Sequence, residues 1–475
     1  MKRIWLVILL AVTLVTGCSR QNSLSDRDRA IAAIDAQRIH EVTAELASAI
    51  YGGRRTGTPG EAKVAAWIAG AWKEAGLDTP EGVDDYLLQY EAPLYSITAF
   101  SGVTARGVAG ESFLGDRSRA MPYAGNGSVE ASAVLVGFGV TTAEHDEYAG
   151  VDVGGKIAVI FRYSPPSWSV PEEQAYLAAK IQRAAAHGAV GVVILDVPSS
   201  PNPFDMRGQT VSAIQDAPPS ILVSVEGARS LLWAAGMDFD VFAAEAWAGR
   251  GVSRDLKLTV HYAVSADGNP VASAYDVLGV VPGRDADRKI LLCAHHDHLG
   301  TDRTGTVYPG ADDDASGVAV LLEVARCLSR TGTPPVSVWF VSFSGEEEGL
   351  IGSQALVAAL PDLRETLIGV VNLDMMRRTS SALGVSVAAG DIRMMAAVQA
   401  AIGDGAALSI IPWTLGSDHA TFNALGVSSC MVSGHGREVS WYHAASDIAS
   451  DIPAADLGSA ARNVLHLLWR LMESM

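Results

Sequence analysis

Histidine and carboxylate side chains gather in a few short stretches of the C-terminal half of the chain. Three stretches are His295-His296-Asp297-His298, Asp312-Asp313-Asp314 and Glu346-Glu347-Glu348, and Asp374 and His443 stand in two others. Adjacent carboxylates repel one another, and burying them without a positive partner is costly. Imidazole and carboxylate ligands suit zinc or a similar divalent cation. The glutamate triplet is thus either a solvated turn or one side of a metal centre, and the neighbouring histidines favour the metal centre.

Most of these stretches follow runs that are typical of buried strands. Such runs span residues 289–297, 336–343 and 367–375, and a helix is predicted over 315–330. Strands that are apolar throughout are expected when both faces of a sheet are covered. The alternation favours a doubly wound, mostly parallel α/β sheet, in which functional groups collect beyond the carboxyl ends of the strands. We therefore expect the polar stretches to converge in one crevice.

The chain is long enough for two domains. Helices are predicted over 27–50 and over a second segment that ends near Gly76, while residues 96–265 form short runs rich in valine and glycine. We predict that 27–95 and 266–475 build the main domain and that 96–265 form an inserted, smaller α/β domain.

The N-terminus has the layout of an export signal. Lys2 and Arg3 precede an apolar stretch that is too short for a comfortable membrane span, and Val15-Thr16-Gly17-Cys18 resembles a bacterial lipobox. A generic signal peptide is the alternative. We predict cleavage after residue 17, lipid modification of Cys18 and a polar tether over 18–26. Ser19 resembles the class sorted to the outer membrane, which predicts an anchor on its periplasmic face.

The composition excludes one class of partner. The chain has 35 basic and 53 acidic residues and a formal net charge of −18. Binding to a nucleic acid backbone requires a basic face, so we predict no nucleic acid partner. Cys293, Cys327 and Cys430 lie in apolar contexts and are predicted to be core residues, although one bridge among them stays open.

Five motifs, in order and with matching spacing, resemble the M28 family of zinc aminopeptidases. They are AHHDHLG, PGADDDASG, SGEEEGLIGS, NLDMM and WYHAASD, and the resemblance covers residues 30–95 and 270–475. Between these parts, VGGKIAVI and the later 180–194 segment resemble a protease-associated (PA) domain.

The resemblance implies two zinc ions per chain, for which cobalt or manganese could substitute. It implies that His295 and Asp374 bind the first ion and that Glu347 and His443 bind the second. Asp313 would bridge the two.

The resemblance also implies the remaining roles. Glu346 would be the general base, Tyr442 would stabilise the oxyanion, and Asp297 would orient the imidazole of His295. Glu348 is expected to be exposed. His298 is expected only to line the pocket.

The activity implied is removal of N-terminal residues from peptides. Three alternatives stay open: a non-catalytic receptor-like binding protein, a one-zinc glutaminyl cyclase, and a carboxypeptidase or dipeptidase. The last requires a cation for the substrate carboxylate, which Arg377, Arg378 or Arg437 could supply. The oligomeric state is not predicted.

Overall fold

The described strands of the protein join in one mixed sheet. The computed structural model describes residues 25–474 except 122–124, 166, 169, 171–176, 199–216, 302–304, 413–415 and 436–438. Cys18 and Arg437 lie outside the described residues, so the predictions made for them stay predictions. Among the residues that are described, no helix is both long and apolar enough to cross a membrane.

The described strands are β1 (Leu87–Phe100), β2 (Thr104–Gly107), β3 (Gly110–Phe113), β4 (Ser118–Ala120), β5 (Gly127–Leu135), β6 (Ile157–Phe161), β7 (Gly191–Leu195), β8 (Ser220–Val223), β9 (Arg254–Val281), β10 (Asp285–His295), β11 (Val336–Phe343), β12 (Leu367–Leu373), β13 (Leu383–Val387), β14 (Leu408–Ile411) and β15 (Ser429–Ser433). The order across the sheet is β14-β13-β15-β12-β10-β11-β9-β5-β6-β7-β8-β4, with β1 and β2 also paired to β9.

The described α-helices are α1 (Asp26–Ala32), α2 (Ala36–Leu46), α3 (Pro59–Ala75), α4 (Leu177–Ala186), α5 (Val225–Ala234), α6 (Phe239–Trp247), α7 (Gly317–Ser329), α8 (Ile351–Ala359), α9 (Leu363–Thr366), α10 (Ile392–Gly403), α11 (His419–Ala424) and α12 (Ala454–Ser474). The helix predicted over 27–50 is instead two helices. The Asp35 carboxylate accepts the backbone N–H groups of Gln37 and Arg38 and so caps α2. The helix predicted to end near Gly76 ends at Ala75, and Gly76 follows it as the C-terminal cap with φ +75°.

The predicted α/β architecture is confirmed. β10 pairs in parallel with both β11 and β12, and β12 pairs in parallel with β15. Alternate residues of β10 enter opposite layers: Ile290 and Leu292 join the core on one face, and Leu291 and Cys293 join the core on the other. Both faces are therefore covered, which explains the continuous apolar run in the sequence.

A third hydrophobic core lies around β5–β8 and helices α4–α6. The strands β5, β6, β7 and β8 are mutually parallel, and β9 runs from this core to the main one. This core lies within the segment predicted to form the inserted domain, and the predicted limits 96–265 stay a prediction. Cys293, Cys327 and Cys430 are buried and unbridged, as expected for core residues.

Candidate metal centre

The parallel register brings three strand ends to one edge of the sheet. His295, the last residue of β10, lies opposite Phe343, the last residue of β11, and Cys293 lies opposite Asn372 near the end of β12. The segments that follow carry Asp297, Glu346 and Asp374. The predicted convergence of the polar stretches is therefore observed.

Two groups of potential ligands share Asp313. In the first, ligand atoms of His295, Asp313 and Asp374 lie within 4.8 Å of one another. The His295 Nε2 is 3.3 Å from Asp313 Oδ1 and 3.9 Å from Asp374 Oδ1. In the second, His298, Asp313 and Glu347 meet the same distance limit. The Asp313 carboxylate thus belongs to both groups.

Two imidazoles, those of His298 and His443, lie near the carboxylates of the second group. The His443 Nε2 lies 3.3 Å from Asp313 Oδ2 and 3.1 Å from Glu347 Oε2. The His298 Nδ1 lies 2.9 Å from Glu347 Oε1 but 3.8 Å from Asp313 Oδ2. The His443 imidazole thus lies beside two of the predicted ligands, and its own role as a ligand stays a prediction. His298 is a member of the second group that sequence reasoning treated as pocket lining, and its place directly after Asp297 gave no further signal.

The donors fit a divalent cation. Asp313 Oδ2 and His298 Nε2 are buried and make no hydrogen bond within the described residues. Burial raises the pKa of Asp313, but the neighbouring His295 and His443 imidazoles outweigh it and hold that pKa well below its usual range. Burial raises the pKa of Asp374, and the charge of Asp313 adds to that shift. Buried, closely spaced carboxylates of this kind are stabilised by a bound cation.

Asp297 holds the glutamate turn. Its fully buried carboxylate accepts the backbone N–H groups of Glu346 and Glu347, each at 3.2 Å. The His295 Nδ1 lies 3.6 Å from Asp297 Oδ1. Asp297 therefore faces the imidazole it was predicted to orient, and it also fixes the segment that carries Glu346 and Glu347, which the sequence did not reveal.

Asp314 ties the ligand loops together. Its carboxylate accepts the backbone N–H groups of His295 at 3.2 Å, Met375 at 2.9 Å and Gly317 at 3.0 Å. It therefore links the end of β10 to the loop after β12 and caps the start of α7. Asp447, the last residue of the WYHAASD motif, similarly accepts the N–H groups of Asp312 and Asp313.

The members of the glutamate triplet have distinct environments. Burial raises the pKa of Glu346 well above its usual range. For Glu347, burial is outweighed by the charge of His443, and the pKa is lowered to about 2. The prediction that Glu348 is exposed is wrong. Glu348 is 3% exposed, lies 3.3 Å from Arg55 Nε, and has a pKa raised to about 8 by its burial.

An aromatic segment borders the ligands. The Tyr442 and His443 rings are stacked with centroids 3.7 Å apart, and burial raises the pKa of Tyr442 well above its usual range. The Trp441 indole donates to Asp312 Oδ2 at 2.8 Å, and the Arg377 guanidinium lies 3.8 Å from the Trp441 ring centroid.

The other arginine candidate points elsewhere. The Arg378 guanidinium donates to Ser459 and to backbone carbonyls of its own loop. Of the three arginines considered for binding a substrate carboxylate, Arg377 is the described residue whose guanidinium lies on Trp441, two residues before His443.

Two family models match the chain. Residues 276–468 match peptidase family M28, and residues 123–231 match the PA domain. The chain thus contains an M28 peptidase region and a PA domain. The resemblance predicted from the five motifs is thereby confirmed. Every predicted metal ligand lies within the residues that match M28. The residues that match the PA domain contribute much of the third hydrophobic core.

Individual relatives agree with this family. An aminopeptidase from Aneurinibacillus sp. strain AM-1 has a similar structure, with TM-score 0.67, 25% identity, and coverage of 93% of this chain and 95% of that one. A maize protein described as a probable glutamate carboxypeptidase VP8 is 27% identical over 384 residues, which are 70% of this chain and 50% of that protein. A probable zinc metalloprotease of Pyrenophora teres f. teres (strain 0-1) is 38% identical over 105 residues. This last match spans about a fifth (22%) of each protein.

Proposed function

We propose that this M28 protein is a zinc-dependent aminopeptidase that hydrolyses N-terminal residues from peptides. The observation that carries the proposal is the pair of ligand groups that share Asp313 at the carboxyl edge of the sheet. We propose two zinc ions per chain, with cobalt or manganese as substitutes.

The distances between the side chains support the ligand roles that we propose. His295 and Asp374 would hold one ion, Glu347 and His443 the other, and Asp313 both. We assign the second imidazole to His443 because its Nε2 lies close to both Asp313 and Glu347. His298 would hold Glu347 through its 2.9 Å contact. When bound, the zinc pair supplies positive charge that lowers the pKa of water and polarises the scissile carbonyl.

Glu346 would handle the proton. It belongs to neither ligand group, and its backbone is fixed by Asp297. In the metal-free protein the pKa of Glu346 is raised. Divalent cations bound beside it would lower that pKa, so that the carboxylate could accept a proton from the attacking water and return it to the leaving amine. Burial, the main cause of that raised pKa, also keeps the proton within the site.

Tyr442 would stabilise the oxyanion. Its raised pKa keeps the phenol protonated at neutral pH, so the hydroxyl is available as a donor. Its ring is held against His443. A donor fixed before the reaction stabilises the charge that develops on the carbonyl oxygen.

A carboxypeptidase is the second candidate. It is favoured by the match to the maize protein, which covers more of this chain than the metalloprotease match does. It is also favoured by the position of Arg377 on Trp441, two residues before His443. Arg377 could pair with a substrate carboxylate. In either case the PA domain would border the cleft and restrict access to short or unfolded peptides, within the predicted limits 96–265.

We also propose export and lipid anchoring through Cys18 at the periplasmic face of the outer membrane. The support is the N-terminal sequence alone.

The deciding experiment measures zinc content and cleavage on the same preparation. Purified protein would be assayed with aminoacyl anilides, with N-acetylated peptides, and with peptides that have free or amidated C-termini. About two zinc ions with cleavage only of free N-termini supports the aminopeptidase. Cleavage of N-acetylated peptides that requires a free C-terminus supports the carboxypeptidase instead. Absence of both zinc and hydrolysis would contradict both and favour a receptor-like protein, and a single zinc with cyclisation of N-terminal glutamine would favour the cyclase.

A further inference from the structure

The turn over residues 52–57 lies directly against the ligand loops. At Gly53, with φ +78°, a Cβ would lie 2.3 Å from the Gly300 carbonyl oxygen and 2.7 Å from that of Tyr308. Only glycine permits this approach. The next residue, Arg54, has φ +54° although it carries a side chain. The turn is therefore shaped for contact with the segment that follows β10.

Arg54 connects the two loops that carry ligands. Its side chain is 1% exposed and makes four hydrogen bonds, all to backbone carbonyl oxygens. Nε donates to His296 at 2.8 Å, in the loop after β10. The two terminal nitrogens donate to Pro309 and to Gly310, immediately before the segment that holds Asp313. The fourth bond, 2.9 Å to Leu46, fixes the guanidinium to the end of α2.

The same turn reaches Asp297. The Thr56 hydroxyl donates to Asp297 Oδ2 at 2.9 Å. That oxygen also accepts the backbone N–H of Glu347, and the other carboxylate oxygen accepts that of Glu346. Thr56 therefore orients the carboxylate that positions the glutamate turn. Arg54 thus contacts the backbone of the 295–298 and 309–313 segments. Thr56 contacts Asp297, whose carboxylate binds the backbone of the third ligand-bearing segment at Glu346 and Glu347.

We propose that Arg54 and Thr56 are positioning residues for the metal centre, an inference that rests on the proposed function. The planar guanidinium holds the 295–298 and 309–313 loops at a fixed separation, which sets the distance between His295 and Asp313. Its positive charge lies buried near Asp313, Asp297, Asp314 and Asp447. Lysine cannot replace it, because a single ammonium cannot span carbonyl groups on three segments.

The test compares zinc affinity of the full-length protein and its variants by chelator competition after metal removal. We expect Arg54→Lys to weaken zinc binding about ten- to a hundredfold, as for other residues that orient ligands. Thr56→Val removes only the hydroxyl contact and should weaken binding severalfold. Arg162→Lys is the matched control, since Arg162 is also buried (7% exposed) and pairs with Asp196 at 3.5 Å in the PA domain. It should leave zinc affinity unchanged.

Hydrogen exchange of the metal-free protein supplies a second readout. Backbone amides over 295–298 and 310–314 should exchange faster in Arg54→Lys than in the wild type. Their exchange rates should be unchanged in Arg162→Lys. Zinc affinity within twofold of wild type in both Arg54→Lys and Thr56→Val would overturn the proposal. If Arg54→Lys fails to fold, Thr56→Val decides by the same criterion. Wild-type protein that binds no zinc would overturn the proposed function as well, so the two failures are distinguishable.

Discussion

Glu346→Gln separates proton transfer from metal binding. The side chain keeps its size, and Glu346 contributes to neither ligand group. Its place is held by a backbone hydrogen bond to Asp297, which the substitution leaves intact. We therefore expect the variant to retain the zinc of the wild type and to lose most turnover.

The magnitude follows from the role of a general base. Loss of such a group lowers kcat by about 10²–10⁴, which is about 3–5 kcal/mol in the activation barrier. The metal-free protein should become more stable, because burial raises the pKa of Glu346 and glutamine removes the carboxylate that titrates. That gain should grow as pH rises, since the wild-type carboxylate is charged in the unfolded chain but is held protonated in the folded one.

The assay pairs zinc content with kcat on an aminoacyl anilide. Glu347→Gln is the matched control one residue away, because Glu347 lies in the second ligand group and its substitution should lower the zinc content. A Glu346→Gln protein that keeps kcat within tenfold, or that loses its zinc as Glu347→Gln does, would refute the division of roles.

Three further predictions address the second imidazole, the PA domain and the N-terminus. His443→Ala should lower the zinc content from about two to about one, whereas His298→Ala should retain two ions with weaker affinity; the reverse pattern would exchange their roles. Burial raises the pKa of Glu147 from 4.5 to about 7, so stability should fall by about 3 kcal/mol between those pH values. Thermal melts of Glu147→Gln should lack that fall, and an identical slope would contradict the assignment. Cys18→Ser should abolish fatty acid labelling and membrane association; a variant still labelled would exclude Cys18 as the anchor.

Local sequence patterns determined the elements and the identity of most ligand candidates. The run 336–343 is a strand with the predicted bounds, because a continuous β-branched and aromatic run is stable only when both faces of the strand are covered. His295, Asp313, Glu347, Asp374 and His443 were all identified by motif. Their convergence followed from parallel strand topology, which sets the carboxyl ends of neighbouring strands at one edge.

Tertiary structure alone decided how the site is supported. Arg54 lies in a glycine-rich turn whose sequence carries no sign of a role at the metal centre. Only the fold brings its guanidinium to carbonyl groups more than 240 positions away, as at His296. Glu348 shared the composition of its neighbours, yet it is buried against Arg55. The sequence around His298 does not distinguish it from a residue that only lines the pocket, and its contact with Glu347 exists only in the folded chain. Such contacts join residues distant in sequence, and neither periodicity nor spacing within a segment carries information about them.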